Sequence, residues 1–259
     1  MTGSIPRERR SYILQGFDPV TRQFILNENT PFIITEAYSK IRANVIASLE
    51  SCAYKSVVVT SQNRGEGKTT TAVNLAIMIS RLDKRVLLID ADMRGAGIHD
   101  MLRLKNHFGL STILTGESDV YSGICVDVRN NFHVMPAGPG VKSPSDMLGS
   151  AETERLVRLL YDYYDYIVID TPPLCIANDS LLFGGYTGGT ALVVRENLTT
   201  HADLKAALST ISLSKAKFFG IIKTYCSLKY DRSSDYKSSI EENADLPGDH
   251  EGETAYDDI

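Results

Sequence analysis

Six short apolar runs recur along the chain, each closed by a polar or glycine-rich turn. They are SVVVTS (56–61), RVLLIDAD (85–92), FHVMPAG (132–138), YIVIDTPP (166–173), TALVVR (190–195) and FFGIIKT (218–224). Their apolar residues are continuous rather than alternating, which predicts strands buried on both faces. Between them lie segments with helical spacing: TTTAVNLAIMISRL, ETERLVRLLYDYY and THADLKAALSTISL. A further helix is expected from Thr35, its cap, with Ala37, Ile41, Val45 and Leu49 recurring on one face. Strands alternating with helices predict an α/β fold, a doubly wound and mainly parallel sheet with helices on both faces.

The same patterning divides the chain. Residues 1–34 have weak periodicity and turn signals and read as an N-terminal arm. Residues 35–228 form the one α/β domain, and residues 229–259 lack an apolar face and read as a disordered tail. The overall charge is −5, but from Tyr230 to Ile259 ten Asp and Glu face two Lys and Arg, so a mildly basic body carries an acidic tail. No run approaches the roughly 18 apolar residues of a membrane helix, and the start lacks a secretory signal. The expectation is a cytoplasmic protein. Four scattered cysteines, without a CxxC pair, argue against a zinc site or a disulfide framework and are expected to be buried and inert.

The chemistry concentrates at the ends of three runs. SQNRGEGKTT follows a predicted strand and opens a predicted helix, the context a phosphate-binding loop requires. Backbone N–H groups of Arg64, Gly65, Glu66, Gly67, Lys68, Thr69 and Thr70 would wrap phosphates at the positive end of the helix dipole. Lys68 supplies charge to the outer phosphates, Thr69 a hydroxyl for Mg²⁺, and Thr70 contact with the inner phosphate. Gln62 stands where the general loop rule asks for its first glycine. Asp90 and Asp92 end one strand and Asp170 another, and strand carboxyl ends line the ligand crevice of such a sheet. Three carboxylates, a lysine and a threonine hydroxyl together predict a magnesium–triphosphate site, with Thr69, Asp90 and Asp170 around the metal.

At these residues the chain resembles the deviant phosphate-loop ATPases and, more narrowly, the bacterial tyrosine kinases of capsular and exopolysaccharide synthesis. The resemblance is carried by SQNRGEGKTTTAVNLA, VLLIDADMRGAGIH, VMPAGP…SPSDML, YDYIVIDTPP, the helix opening TEAYSKIRAN and a tyrosine-bearing tail. It makes Gln62 a family trait, and Asn63, where partition ATPases carry a lysine, favours the kinase branch. It implies a P-loop NTPase fold, ATP and Mg²⁺, and transfer of the γ-phosphate to tail tyrosines, in trans, with Tyr225, Tyr230, Tyr236 and Tyr256 as candidates. Lys68, Asp90, Asp92 and Asp170 would be catalytic, with Asp92 or Asp90 taking the phenolic proton. The resemblance also implies self-association through Glu36 and Arg42, a membrane-anchored chain-length regulator as activator, placement at the inner face of the membrane through it, and a cognate tyrosine phosphatase. Four departures stand out. Arg64 replaces a proline, Ser39 replaces an arginine of the assembly helix, Thr224 replaces an asparagine near the adenine, and the tail tyrosines are dispersed.

Tyr161 to Tyr166, in YDYYDY, read as packing residues, and His99 as a structural hydrogen-bonding group near the crevice. The competing reading is a nucleotide-switched ATPase that acts as an assembly scaffold without kinase activity. Nucleic-acid binding is disfavoured by the acidic chain and the lack of a dense basic patch.

Overall fold

Buried strands need cover on both sides, and the helices supply it. The computed structural model describes residues 25–127 and 132–226. In chain order the elements are α1 (Phe32–Glu50), β1 (Ser56–Ser61), α2 (Lys68–Ser80), β2 (Val86–Asp90), α3 (Ile98–Leu102), α4 (Leu110–Leu114), β3 (Cys125–Asp127) and β4 (Phe132–Met135). They continue with α5 (Pro144–Leu148), α6 (Ala151–Leu160), β5 (Tyr166–Asp170), α7 (Asp179–Leu182), β6 (Gly189–Arg195), α8 (His201–Ile211) and β7 (Lys217–Thr224). The strands form one sheet in the order β3-β4-β2-β5-β1-β6-β7. Every pairing is parallel except β3 with β4. The six expected strands are present; β3, too short to carry a pattern, was not expected.

Side-chain alternation assigns the two faces. Val57, Val59, Leu88 and Val168 point into one core, with α1 and α2. Val58, Leu87, Ile89, Ile167 and Ile169 point into the other, with Leu148, Leu156, Val157 and Leu160 from α5 and α6. Helix α2 is buried from Thr71 to Ser80, which explains why its sequence is apolar on nearly every side. Polar caps fix the outer helices. Ser150 accepts the Thr153 N–H at α6, and Thr200 forms a capping box with Asp203 at α8.

Three expectations are corrected. Helix α1 begins at Phe32, not at Thr35. Pro31 is its N-cap, with the φ of −53° that its ring imposes, and its carbonyl accepts from Ile34 and Thr35. The arm ends sooner than residue 34, because Leu26 is buried and its N–H donates to Asn74 Oδ1 of α2 at 2.9 Å. None of the four cysteines is buried: Cys52 and Cys125 are half-buried, and Cys175 and Cys226 are exposed. The expected disordered tail and most of the arm, with Tyr230, Tyr236 and Tyr256, lie outside the described residues. Among the described residues no helix is long and apolar enough to cross a membrane.

Leu88, wholly buried on the middle of β2, reports the strength of the α2-side core. Leu88→Ala is expected to lower unfolding free energy by about 2–5 kcal/mol. Urea denaturation should show a lower midpoint with an unchanged slope. A loss under about 1 kcal/mol would mean that this face is not close-packed.

Candidate active site

The site assembles at the carboxyl ends of β1, β5 and β2, which are neighbours in the sheet. The loop from β1 to α2 is shaped by two residues with left-handed backbone, Gly65 at φ +78° and Gly67 at φ +91°. A side chain at Gly67 would be strained there and would also meet Thr224 at 3.5 Å. The loop is braced from outside. Thr224 Oγ1 donates to the Glu66 carbonyl at 2.7 Å, and Arg195 Nη1 donates to the Gly65 carbonyl at 3.0 Å. The Glu66 carboxylate, fully buried, accepts from the Asn63 N–H at 2.8 Å and from the Thr199 hydroxyl at 2.5 Å. The first N–H groups of α2 have no acceptor within the helix, which makes its N-terminus a ready anion site.

Lys68 opens α2 and lies between two carboxylates. Its Nζ is 3.0 Å from Asp92 Oδ2, 3.7 Å from Asp170 Oδ2, and 3.0 Å from Thr69 Oγ1. Burial works against its charge, but the attraction of Asp170 and Asp92 outweighs burial and pushes the ammonium pKa up. Asp170 and Asp90 are both pushed above the ordinary carboxylate range, first by burial. Lys68 tempers the shift at Asp170, whereas the Asp170 charge adds to it at Asp90.

The three carboxylates are not equivalent. Asp90 accepts from the N–H groups of Gly97, Ile98 and Asp92, so it holds the turn after β2 in shape. Asp92 accepts from Gly95 and from Lys68. Both oxygens of Asp170 are buried without a hydrogen-bond partner. Such orphaned acceptors beside a threonine hydroxyl fit Mg²⁺, which keeps several waters and takes one or two protein oxygens plus phosphate oxygens. Among the described residues no three His, Cys, Asp or Glu side chains form a ready-made metal cage.

The other expected residues take varied positions. Arg64 is exposed and Thr70 half-buried in the first turn of α2, while Glu66 faces inward and braces the loop. Buried Gln62 Oε1 has no hydrogen-bond partner, and the Gln62 carbonyl accepts from Cys175. On α1, Arg42 donates to the Met78 carbonyl and to Ser39, and Glu36 is half-buried. Tyr225 follows β7 with left-handed backbone, its ring centre 3.7 Å from the Arg195 guanidinium carbon. His99 lies on α3, its Nε2 3.3 Å from Asp100. Tyr161 stacks on Tyr54, meets Ser56 Oγ and donates to the Tyr186 carbonyl. Thr199 and Arg195 were missed; the only sequence signal was a charged residue between two loop glycines that itself needed a partner.

A glycine-shaped loop on a buried helix, with a lysine and carboxylates at adjacent strand ends, defines a phosphate-loop nucleotide-binding domain. Residues 54–183 match the AAA domain family. The chain is 32% identical over 188 residues to the tyrosine-protein kinase YwqD of Bacillus subtilis, spanning 73% of this chain and 79% of that protein. It is 30% identical over 200 residues to the tyrosine-protein kinase Wzc of Salmonella typhi, spanning 77% of this chain but 28% of that longer protein. Among solved structures, the chimerical protein CapA2B2 superposes with a TM-score of 0.73 at 30% identity, over 78% of this chain and 88% of that one. The fold also extends to a cobyrinic acid a,c-diamide synthase from Mycobacterium smegmatis, solved with an ATP analogue and magnesium. That match has a TM-score of 0.60 at 19% identity over 75% and 84% of the two chains. The chain belongs to the family of bacterial tyrosine-protein kinases.

The raised carboxyls set a pH test. A carboxyl whose folded pKa lies above its unfolded value binds extra protons in the folded state between the two, so stability falls as pH rises through that window. For the nucleotide-free protein, Asp170→Asn is expected to gain on the order of 1 kcal/mol at pH 7.5, a gain that vanishes near pH 4. Thermal unfolding across pH measures it. A less stable variant at pH 7.5 would mean that the Lys68 attraction outweighs burial.

Proposed function

We propose that this chain transfers the γ-phosphate of ATP to tyrosine hydroxyls, its own C-terminal tyrosines among them, and so regulates synthesis and export of a capsular or extracellular polysaccharide. The observation that carries the reading is Lys68, held at the start of α2 between Asp92 and Asp170, whose own oxygens have no hydrogen-bond partner. The loop N–H groups and Lys68 would hold the β- and γ-phosphates, since phosphoryl transfer depends on positioning and charge neutralisation more than on covalent chemistry. Thr69 and Asp170 would hold magnesium, which when bound neutralises charge on the phosphate oxygens. Asp90 acts indirectly, by keeping the Asp92 turn in place.

Asp92 has two successive roles in this reading. Without nucleotide it pairs with Lys68; once phosphate takes the lysine, the carboxylate is released toward the acceptor. A phenol, with a pKa near 10, is mostly protonated at neutral pH, and Asp92 accepts its proton as transfer proceeds. Tyr225, Tyr230, Tyr236 and Tyr256 are the acceptors, reached in trans. Glu36 meets the neighbouring copy, while Arg42 seats α1 on α2. A membrane-anchored chain-length regulator brings the chain to the inner face of the membrane and activates it, and a tyrosine phosphatase reverses the reaction.

Incubation with ATP and Mg²⁺ followed by mass spectrometry is expected to place phosphate on tyrosines between Tyr225 and Ile259. The yield should fall at least about a hundredfold in Lys68→Met. Release of free phosphate without phosphotyrosine would instead favour the ATPase scaffold. Full transfer by Asp92→Asn would remove the proton-acceptor role.

A further inference from the structure

The two strands whose far ends carry the phosphate loop and Asp170 begin at a second cavity. Its volume is about 340 Å³, at the lower end of the range of small-ligand sites. Tyr54 and Lys55, just before β1, form one side. Arg158 and Tyr161, at the end of α6, and Tyr164 and Asp165, just before β5, form the rest. At about 3.3 Å per residue, the length of β1 puts this cavity roughly 20 Å from the nucleotide crevice.

The walls are tyrosine rings whose hydroxyls are engaged. Tyr54 stacks on Tyr161, ring centres 5.1 Å apart. The Tyr161 hydroxyl lies 2.5 Å from Ser56 Oγ and donates to the Tyr186 carbonyl at 2.9 Å. The Tyr164 hydroxyl meets His133 Nδ1 at 2.7 Å. Burial pushes the pKa of both phenols up, so the walls stay uncharged.

The rim carries charges of both signs, each already matched. Arg158 pairs with Glu154 at 2.7 Å and Asp165 with Arg85 at 2.9 Å. Lys55 Nζ donates to the Leu49, Glu50 and Cys52 carbonyls, at the negative end of the α1 dipole. No unmatched charge is left for a phosphate or a carboxylate. Hydrogen-bonding capacity, by contrast, is left in both directions. A carboxylate has about four lone-pair positions, and Asp165 gives three of them to the backbone N–H, Nε and Nη2 of Arg85. A guanidinium has five N–H groups, and Arg158 engages Glu154 through Nε and Nη2 and the Tyr54 hydroxyl through Nη1, with N–H groups to spare.

Ring surfaces, a rim without spare charge, and donors beside acceptors together describe one ligand chemistry. A sugar ring has apolar C–H faces for the tyrosines and hydroxyls that both donate and accept. A nucleotide or a sugar phosphate would require a cation free to pair with it. We infer that the cavity at the starts of β1 and β5 is a binding site for an uncharged saccharide of one or two rings. Occupancy requires neither nucleotide nor phosphate transfer, so the site stands whether or not tyrosine is the acceptor.

The test is saturation-transfer NMR on the full chain, with Mg²⁺ and a non-hydrolysable ATP analogue present to fill the nucleotide crevice. The probes are D-glucose, D-galactose, N-acetyl-D-glucosamine, cellobiose and lactose. Saturable transfer to the ring C–H protons of one or more of them is expected. Ala53→Trp places a large side chain at an exposed position lining the cavity, and Arg158→Ala removes an exposed donor from its rim. Each should weaken binding about tenfold or more, with thermal unfolding of the variants measured alongside. Because the two changes lie on different elements, loss of fold in one leaves the other to decide. No transfer to any of the five sugars, or equal transfer in the unaltered chain and a folded variant, would overturn the inference. So would tighter binding of glucose 6-phosphate than of D-glucose, which would show that the site seeks a charge.

Discussion

A lysine held between two buried carboxylates is the constraint around which the domain is arranged. Lys68 can occupy that place only because α2 begins there, and α2 begins there only because Gly67 takes a left-handed backbone. Two carboxylates beside one ammonium, nearly shut off from water, leave an imbalance of charge. Burial raises both Asp170 and Asp90, and the Asp170 oxygens have no hydrogen-bond partner. A site with surplus acceptors on one side and a helix N-terminus on the other suits an anion that arrives with its own cation. In the proposed function, a nucleotide and its magnesium would complete this electrostatic arrangement.

The rest of the fold holds that arrangement still. The sheet sets the ends of β1, β5 and β2 side by side, so residues more than a hundred positions apart meet with little freedom. Braces act at a second level. Thr224 from β7, Arg195 from β6 and Thr199 before α8 all hold carbonyl or carboxylate groups of the loop at Gly65 and Glu66. Across the site, Arg94, Ser145 and Asp179 lock the loops that flank β2 and β4. The loop is thus gripped from the β6–β7 side, and the far wall is fixed independently.

Much of this was legible in the sequence, and what was not has identifiable causes. The strands were readable because burial on both faces removes polar residues, as in SVVVTS and YIVIDTPP. Lys68, Asp90, Asp92 and Asp170 were readable because each closes or follows a strand, and strand ends must converge in a parallel sheet. The difference between Asp90 and Asp92 was not readable, because it depends on where the backbone N–H groups of Gly97 and Ile98 point. The start of α1 was misplaced because a hydroxyl cap at Thr35 looked stronger than the bare carbonyl of Pro31. Glu66 was expected to offer its backbone N–H, but the inward turn of its carboxylate to Thr199, 133 residues away, was not readable. Contacts of that separation leave no periodic trace.

In the proposed function, Lys68 exchanges Asp92 for phosphate when nucleotide binds. The measurement that decides this is calorimetric titration of an ATP analogue with Mg²⁺ into Asp92→Asn, beside the unaltered chain. If Asp92 competes with phosphate for the lysine, removing its charge tightens nucleotide binding several-fold, each tenfold being about 1.4 kcal/mol. Nucleotide binding that is unchanged or weaker in Asp92→Asn would contradict the exchange.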